Sequence, residues 1–351
     1  MPPTIPITVL TGFLGAGKTT FLNALLSETA FADTAVLINE FGEVAIDHDL
    51  VANFDGKVVL TTTGCLCCRA SSDIKQSLFD LWNRYGAGEI RPFKRVIVET
   101  TGLADPVPIV STLISRPGEG AIDTTVAQQF ALSAVITLFD IVTGSVSLDN
   151  HFEALKQVAL ADIIVLTKSD LAQDPASRHN IEGDRERLES INPGVLVLDR
   201  QMDWPRIREE LLRPKTYDLR ERSEDASAWL RAEAFLGRAA HDHDHHDVNR
   251  HGDGIRAHSL IVDEPLSPAI FRFFLDALKL SAGQNLLRMK GLFALADDPD
   301  RPVIVHGVQH LVHPVQRLEH WPGSDRRTRI VLIGRDLNVE AMRTILTAGN
   351  S

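Results

Sequence analysis

The 351-residue sequence predicts an α/β fold, a mostly parallel, twisted sheet flanked by helices, followed by a small α+β domain. Three observations predict it. Short β-branched, apolar runs alternate with helical periodicity through the first two thirds of the chain, as strands joined by crossover helices do. A glycine-rich turn ending in Lys18-Thr19 lies directly between the first such run and the first helical stretch. Composition then changes at 221 and regular patterning resumes at 257, which divides the chain into 1–220, a linker 221–256, and a domain 257–347.

The expected strands of the first domain are Ile5–Leu10, Thr34–Ile38, Lys57–Thr61, Lys94–Val98, Ala134–Phe139, Asp162–Thr167 and Gly194–Asp199. Most are continuous apolar runs, the pattern of strands buried on both faces. Between them, Phe21, Leu22 and Leu25 mark a helix after the glycine turn. Ser72 can cap a second, whose apolar residues Ile74, Leu78, Leu81 and Trp82 recur at i, i+4, i+7 and i+8. Phe152, Leu155 and Val158, then Ile181, Leu188 and Ile191, repeat the pattern less cleanly.

The linker is charged from Glu221 to Arg238 and continues as His241-Asp242-His243-Asp244-His245-His246-Asp247. Beyond it come strands at Ala257–Val262, Leu286–Ala296, Val303–Val308, Val315–Glu319 and Arg329–Ile333. A helix at Ser267–Leu280 carries Ile270, Phe273, Phe274 and Leu278, and a last helix covers Asn338–Thr347.

Composition excludes several functions. With 44% hydrophobic residues a real core can form, and 36 Lys plus Arg against 47 Asp plus Glu leave a net charge of −11. Such a surface repels a phosphate backbone, so nucleic acid is not expected as a partner. The longest apolar stretches, such as Ala131–Phe139, fall short of the roughly 18 residues of a membrane span. The first residues, Met1-Pro2-Pro3-Thr4, have no basic stretch of a secretory signal, and a cytoplasmic setting is expected.

Gly12-Phe13-Leu14-Gly15-Ala16-Gly17-Lys18-Thr19 has the strand-turn-helix setting of a P-loop nucleotide-binding fold. Its glycines let successive N–H groups and a helix N-terminus face phosphates, Lys18 brings an ammonium to the β and γ oxygens, and the Thr19 hydroxyl suits Mg²⁺. A bare glycine turn would explain neither the Lys-Thr pair nor its register. Glu99 ends an apolar strand and is followed by Gly102, so it can hold Mg²⁺ while Gly102 offers an N–H to a γ-phosphate. The plainer reading of Glu99 is a strand-end carboxylate in solvent. In Thr167-Lys168-Ser169-Asp170, Asp170 can accept two hydrogen bonds from the N1–H and exocyclic amine of guanine, and the Lys168 stem can pack over the ring. A solvated loop of two opposite charges is the alternative.

All three cysteines fall in Cys65-Leu66-Cys67-Cys68. Neighbours this close cannot staple a fold, so metal ligation or redox chemistry is expected. Three thiolates suit Zn²⁺ or Cu(I) and leave a tetrahedral ion one position short, to be filled by Glu40, Glu43, water or a client group. The histidine run reads equally as a metal-concentrating tract or a solvated spacer. His306, His310, His313 and His320 read as ordinary surface or packing residues.

Together these strings, with Asn39-Glu40-Phe41-Gly42-Glu43, Glu99-Thr100-Thr101-Gly102-Leu103-Ala104-Asp105-Pro106, Gly307-Val308-Gln309-His310 and Trp321-Pro322, resemble the CobW-type GTPases of the SIMIBI class over nearly the whole chain. The resemblance implies a P-loop NTPase that hydrolyses GTP and transfers zinc from the Cys-x-Cys-Cys loop to an apo-metalloprotein client. It implies nucleotide contacts from Gly12, Gly15, Ala16, Gly17, Lys18, Thr19, Thr20, Gly102, Thr167, Lys168 and Asp170. Catalytic parts fall to Lys18, Glu40 and Glu99, and metal contacts to Cys65, Cys67, Cys68, Glu40, Thr19 and Glu99. GTP, Mg²⁺ and Zn²⁺ are the implied cofactors, with Co²⁺ as a second ion and a homodimer as a possible assembly. Glu40, Glu43 and Asp47 are candidates to orient water; no residue is an evident arginine finger for use in cis, Arg69 being the one left open, so hydrolysis is expected to be slow without a partner. Thr167 stands where many GTPases carry Asn, which leaves that side chain's contact open. The alternatives are a cobalt or iron insertion factor of the same family, a redox-sensing P-loop ATPase or kinase, and a non-catalytic metal buffer.

Overall fold

The computed structural model describes residues 4–39, 59–63, 70–115, 120–171, 175–213, 255–281, 285–309, 311–312 and 315–348, which form two compact units. The first carries seven strands, β1 (Ile5–Gly12), β2 (Thr34–Asn39), β3 (Val59–Thr63), β4 (Arg95–Glu99), β5 (Phe130–Asp140), β6 (Ile163–Thr167) and β7 (Leu196–Asp199). Every neighbouring pair is parallel and the order is β3-β2-β4-β1-β5-β6-β7. All seven expected strands are present; of the expected Lys57–Thr61, residues 57 and 58 lie outside the described residues, and β3 runs on to Thr63.

Their apolar runs are used on both faces. Val36 and Ile97 join Phe21, Leu22 and Leu25 of α1 (Lys18–Leu26) in one core. Their neighbours Leu37, Val96 and Val98 join Ile74, Leu78 and Leu81 of α2 (Ala70–Gly86) in the other. Side chains alternate across a strand, so a run without polar residues can be stable only between two layers of helices. Each fully buried Leu or Ile here contributes roughly 1.5–3 kcal/mol against exposure. Helix α2 starts at Ala70, which puts Ser72 inside its first turn and corrects the expected cap. Five further helices follow in the chain, α3 (Val107–Ile114), α4 (Ala121–Gln129), α5 (Gly144–Asn150), α6 (Phe152–Leu160) and α7 (Pro175–Ile191), and after β7 comes α8 (Trp204–Leu212).

The second unit is an antiparallel sheet of β8 (Ile255–Val262), β9 (Leu286–Phe293), β10 (Val303–Val308), β11 (Leu311–Val312), β12 (Gln316–Arg317) and β13 (Thr328–Arg335). It packs with α9 (Pro268–Ser281) and α10 (Val339–Thr347), the latter capped by Asn338, whose Oδ1 accepts from the Ala341 N–H at 3.1 Å. The stripe α9 buries is Phe271, Phe274, Leu275 and Leu278, whereas Phe273 is 63% exposed. Residue 273 lies about 200° around the helix from 271, and the expectation that Phe273 faces the core is therefore corrected. The expected strand at Val315–Glu319 is only the two residues of β12. His306 is buried on β10 and His320 is exposed. Among the described residues no helix is long and apolar enough to cross a membrane.

Candidate functional site: a phosphate loop and a base loop at one sheet edge

The turn after β1 needs its glycines. Gly12, Gly15 and Gly17 have φ of 145°, 77° and 85°, a region side chains rarely enter, and a Cβ on Gly12 would stand 2.6 Å from the Leu138 carbonyl oxygen. Ala16 is buried in this turn, and Lys18, Thr19 and Thr20 form the first turn of α1. The Lys18 ammonium donates to the Gly12 carbonyl at 2.9 Å and the Phe13 carbonyl at 3.3 Å, which holds it across the mouth of its own loop.

Glu99 is the last residue of β4 and 6% exposed, so it is not a solvated strand-end acid. The Thr19 hydroxyl donates to its Oε1 at 3.1 Å. Two polar side chains of the kinds that share a hard cation therefore meet at the start of α1. The next residue ties this strand end to β1: the Thr100 N–H donates to the Leu10 carbonyl at 3.0 Å, and its hydroxyl lies 3.0 Å from that of Thr11. Gly102 then passes so close to the phosphate loop that a Cβ there would be 2.7 Å from the Leu14 backbone N and Cα and 3.2 Å from the Lys18 Nζ. The cradle thus fits a phosphate group with its cation in shape, in donors and in the placement of a carboxylate.

The base loop follows β6. Thr167 lies with its hydroxyl 3.0 Å from the Ala16 carbonyl and 3.3 Å from the Phe139 carbonyl, which ties the end of β6 to the phosphate loop and answers what a threonine does at this position. Lys168 adopts φ 60° and its ammonium donates to Asp140 Oδ2 at 2.6 Å. The Ser169 hydroxyl donates to Asp199 Oδ1 at 2.9 Å, and the same oxygen accepts the Gln201 N–H at 2.8 Å. Asp170 stays exposed in the turn so held.

Asp140 was not among the residues singled out by sequence. Its signal was there, since Phe139-Asp140 ends an apolar strand in a carboxylate as Val98-Glu99 does. Burial pushes the Asp140 carboxyl up, but hydrogen bonds from Lys168, the Val142 N–H and the Thr143 hydroxyl outweigh it and hold the pKa below the ordinary 3.8. Because the folded-state value is the lower one, the contribution of this pair is fully present above 3.8 and is lost as pH falls through the depressed value. Asp140→Asn is expected to weaken guanine nucleotide binding roughly tenfold, about the net worth of one charge-assisted hydrogen bond, with the same ratio to wild type from about pH 5 to 8. Titration calorimetry across that range checks both.

The second group of expected site residues, Glu40, Glu43, Asp47, Cys65, Cys67, Cys68 and Arg69, lies outside the described residues, as do the histidine tract, His310 and His313. The strands that lead to these segments are described. Asn39, immediately before Glu40, pairs with Thr63, two residues before Cys65, and Ile38 pairs with Glu99. Among the described residues no three His, Cys, Asp or Glu side chains cluster as a metal site.

A phosphate loop at the carboxyl edge of an all-parallel sheet, with a strand-ending carboxylate beside it, defines the class as a P-loop nucleotide-binding protein, and the relatives below make it a GTPase. The profile of the CobW/HypB/UreG nucleotide-binding domain matches residues 6–197, and that of the cobalamin synthesis protein cobW C-terminal domain matches residues 255–349. The chain belongs to the CobW/HypB/UreG family. It is 30% identical over 343 residues to the zinc chaperone YjiA of Escherichia coli, covering 97% of this chain and 96% of that protein. It is 25% identical over 365 residues to zinc-regulated GTPase metalloprotein activator 1 of Schizosaccharomyces pombe, covering 95% and 83%. A crystal structure of a Zn(II)-bound triple mutant of the YjiA GTPase matches it with a TM-score of 0.73 at 28% identity, covering 99% of each chain.

Proposed function

We propose that this protein is a cytoplasmic GTP-hydrolysing metallochaperone that carries Zn²⁺ on Cys65, Cys67 and Cys68 and gives it to an apo-metalloprotein client under control of the bound nucleotide. The observation that carries this reading is the strand order β3-β2-β4. The last residues of these three consecutive strands, Thr63, Asn39 and Glu99, share one sheet edge, and Cys65 and Glu40 follow the first two in sequence. Adjacent strands lie about 4.8 Å apart, so the end of β3 lies roughly 10 Å from the end of β4. A change at the γ-phosphate then has only one intervening strand end, that of β2, to cross.

In this reading Gly12, Gly15, Ala16, Gly17 and Thr20 shape and bind the phosphate cradle, while Lys18 exchanges its two carbonyl partners for charged phosphate oxygens. Thr19 and Glu99 are the residues that would hold Mg²⁺, which when bound supplies charge neutralisation at the β and γ oxygens. Gly102 directs its N–H to the γ-phosphate, and Asp170 with Lys168 selects guanine. Glu40, the residue that follows β2 in sequence, serves in this reading at both ends, orienting water and completing the zinc site.

Energetics permit such coupling. A closed structural zinc site is worth roughly 10–16 kcal/mol, whereas taking a site from nearly full to nearly empty needs a differential of about 5.5 kcal/mol. Losing one of four ligands, roughly 2.5–4 kcal/mol on the same scale, supplies a large part of that differential.

The test is metal handover. Reduced protein loaded with Zn²⁺ is offered a chromophoric chelator or apo-client together with GTP, a non-hydrolysable analogue, or ATP. Transfer is expected to be fastest with GTP and to lose its nucleotide dependence in Lys18→Ala, and Cys67→Ala should not load normally. Equal transfer with every nucleotide contradicts the proposal.

A further inference from the structure

Helix α6 touches the nucleotide machinery at three places without belonging to any of the nucleotide motifs. Gln157, 1% exposed, points its Nε2 between two carbonyls of the segment after Glu99, that of Gly102 at 3.2 Å and that of Ala104 at 3.2 Å. One residue earlier, the Lys156 ammonium donates to Asp105 Oδ2 at 2.6 Å. The other oxygen of Asp105 accepts the Val107 N–H at 2.9 Å at the start of α3. Just ahead of the helix, His151 stacks on Phe13 of the phosphate loop, with ring centroids 4.6 Å apart and planes 25° from parallel. The helix itself is anchored to the sheet, since the Thr137 hydroxyl on β5 donates to the Gln157 carbonyl at 2.7 Å.

These contacts converge on one variable. The Gly102 N–H can serve the γ-phosphate only if its peptide keeps a fixed height over the Leu14 backbone and the Lys18 ammonium, the atoms a Cβ at Gly102 would meet first. Within the turn from Thr101 to Pro106 the Ala104 N–H donates to the Thr101 carbonyl at 3.1 Å, a bond that closes the turn on itself. A buried amide that donates to the carbonyl of Gly102 itself, and an ion pair three residues on, hold the turn from outside.

We infer that Gln157 and Lys156 are positioning residues for GTP hydrolysis, acting by holding the Gly102–Asp105 segment against the phosphate loop. Donation from Gln157 to the Gly102 carbonyl orients the peptide that follows Gly102, and the Lys156–Asp105 pair sets where the segment turns into α3. Neither residue touches substrate. Their removal therefore lowers the rate at which bound GTP is hydrolysed and leaves ground-state affinity, which rests on the glycine loop and the base loop, close to wild type. A misplacement of about 1 Å in such a contact can cost on the order of 10²-fold, and partial loosening less.

The experiment is steady-state and single-turnover GTP hydrolysis by the full-length protein carrying Gln157→Leu, Lys156→Met, Lys156→Arg, or the exchanged pair Asp105→Lys with Lys156→Asp. Wild-type turnover is established first, so that failure of the GTPase reading is seen separately from failure of this one. The expected result is a fall in kcat of about tenfold for Gln157→Leu and Lys156→Met, with KM and GDP affinity within about twofold of wild type. Lys156→Arg, which keeps the charge, and the exchanged pair should each recover most of the rate. Wild-type kcat in the folded variants overturns the proposal, as does a loss confined to KM or one that follows thermal stability and is not rescued by Lys156→Arg. If Gln157→Leu does not fold, Lys156→Met, at a partly buried position, decides by the same criteria.

Discussion

Gly102→Ala lowers GTP turnover by on the order of 10²-fold while leaving GDP binding nearly intact. The added Cβ would meet the Leu14 N and Cα at 2.7 Å, and these are backbone atoms of the phosphate loop, which cannot swing aside as a side chain can. Either the loop or the Gly102 segment must retreat, and in both cases the approach of one to the other is lost. Ground-state binding survives because Gly12, Gly15, Gly17 and the base loop are untouched. Phosphate-release assays beside GDP titration measure the two halves separately. Wild-type turnover in this variant would mean that Gly102 stands away from the loop during catalysis.

Asp170→Asn weakens GTP binding roughly 10²-fold, the worth of two hydrogen bonds to an ionised acceptor at 1.4 kcal/mol per factor of ten. The reason is directional. Guanine offers two donors, N1–H and the exocyclic amine, which a carboxylate accepts together and a carboxamide cannot. Xanthine has a carbonyl in place of that amine, so the same variant is expected to gain affinity for XTP. Competition binding with GTP, ATP and XTP checks both directions, and unchanged preference would remove Asp170 from base recognition.

Much of this site was legible in the sequence because its parts are local. The phosphate loop occupies consecutive residues whose left-handed φ values only glycine tolerates cheaply, and Glu99 and Thr167 end apolar strands, which places them at one sheet edge before any coordinates are known. Strands such as β4, β5 and β6 were legible for a similar reason, since burial on both faces leaves a nearly unbroken apolar run. Helices α3, α4, α5 and α8 went unnamed because they are short or weakly patterned; α5 is seven residues, Gly-Ser-Val-Ser-Leu-Asp-Asn.

What escaped is what depends on distant pairing. Asp140 and Lys168 are 28 residues apart, Gln157 and Gly102 are 55, and Lys156 and Asp105 are 51, so no spacing within one segment announces them. Asp140 could have been found as the third strand-ending acid of the sheet edge. Gln157 could not, because a glutamine inside a helical stripe usually signals only its polar face, and here it is buried under a turn that only the parallel order of β1, β4 and β5 brings overhead.

The most direct measurement is the Zn²⁺ or Co²⁺ dissociation constant of the reduced protein in its nucleotide-free, GDP and GTP-analogue states, with the Co²⁺ thiolate absorption followed in parallel. A site governed by nucleotide through the β3-β2-β4 edge should bind at least about tenfold more weakly with GDP than with the GTP analogue, with a change in the thiolate band. The same constant and the same spectrum in all three states would contradict it.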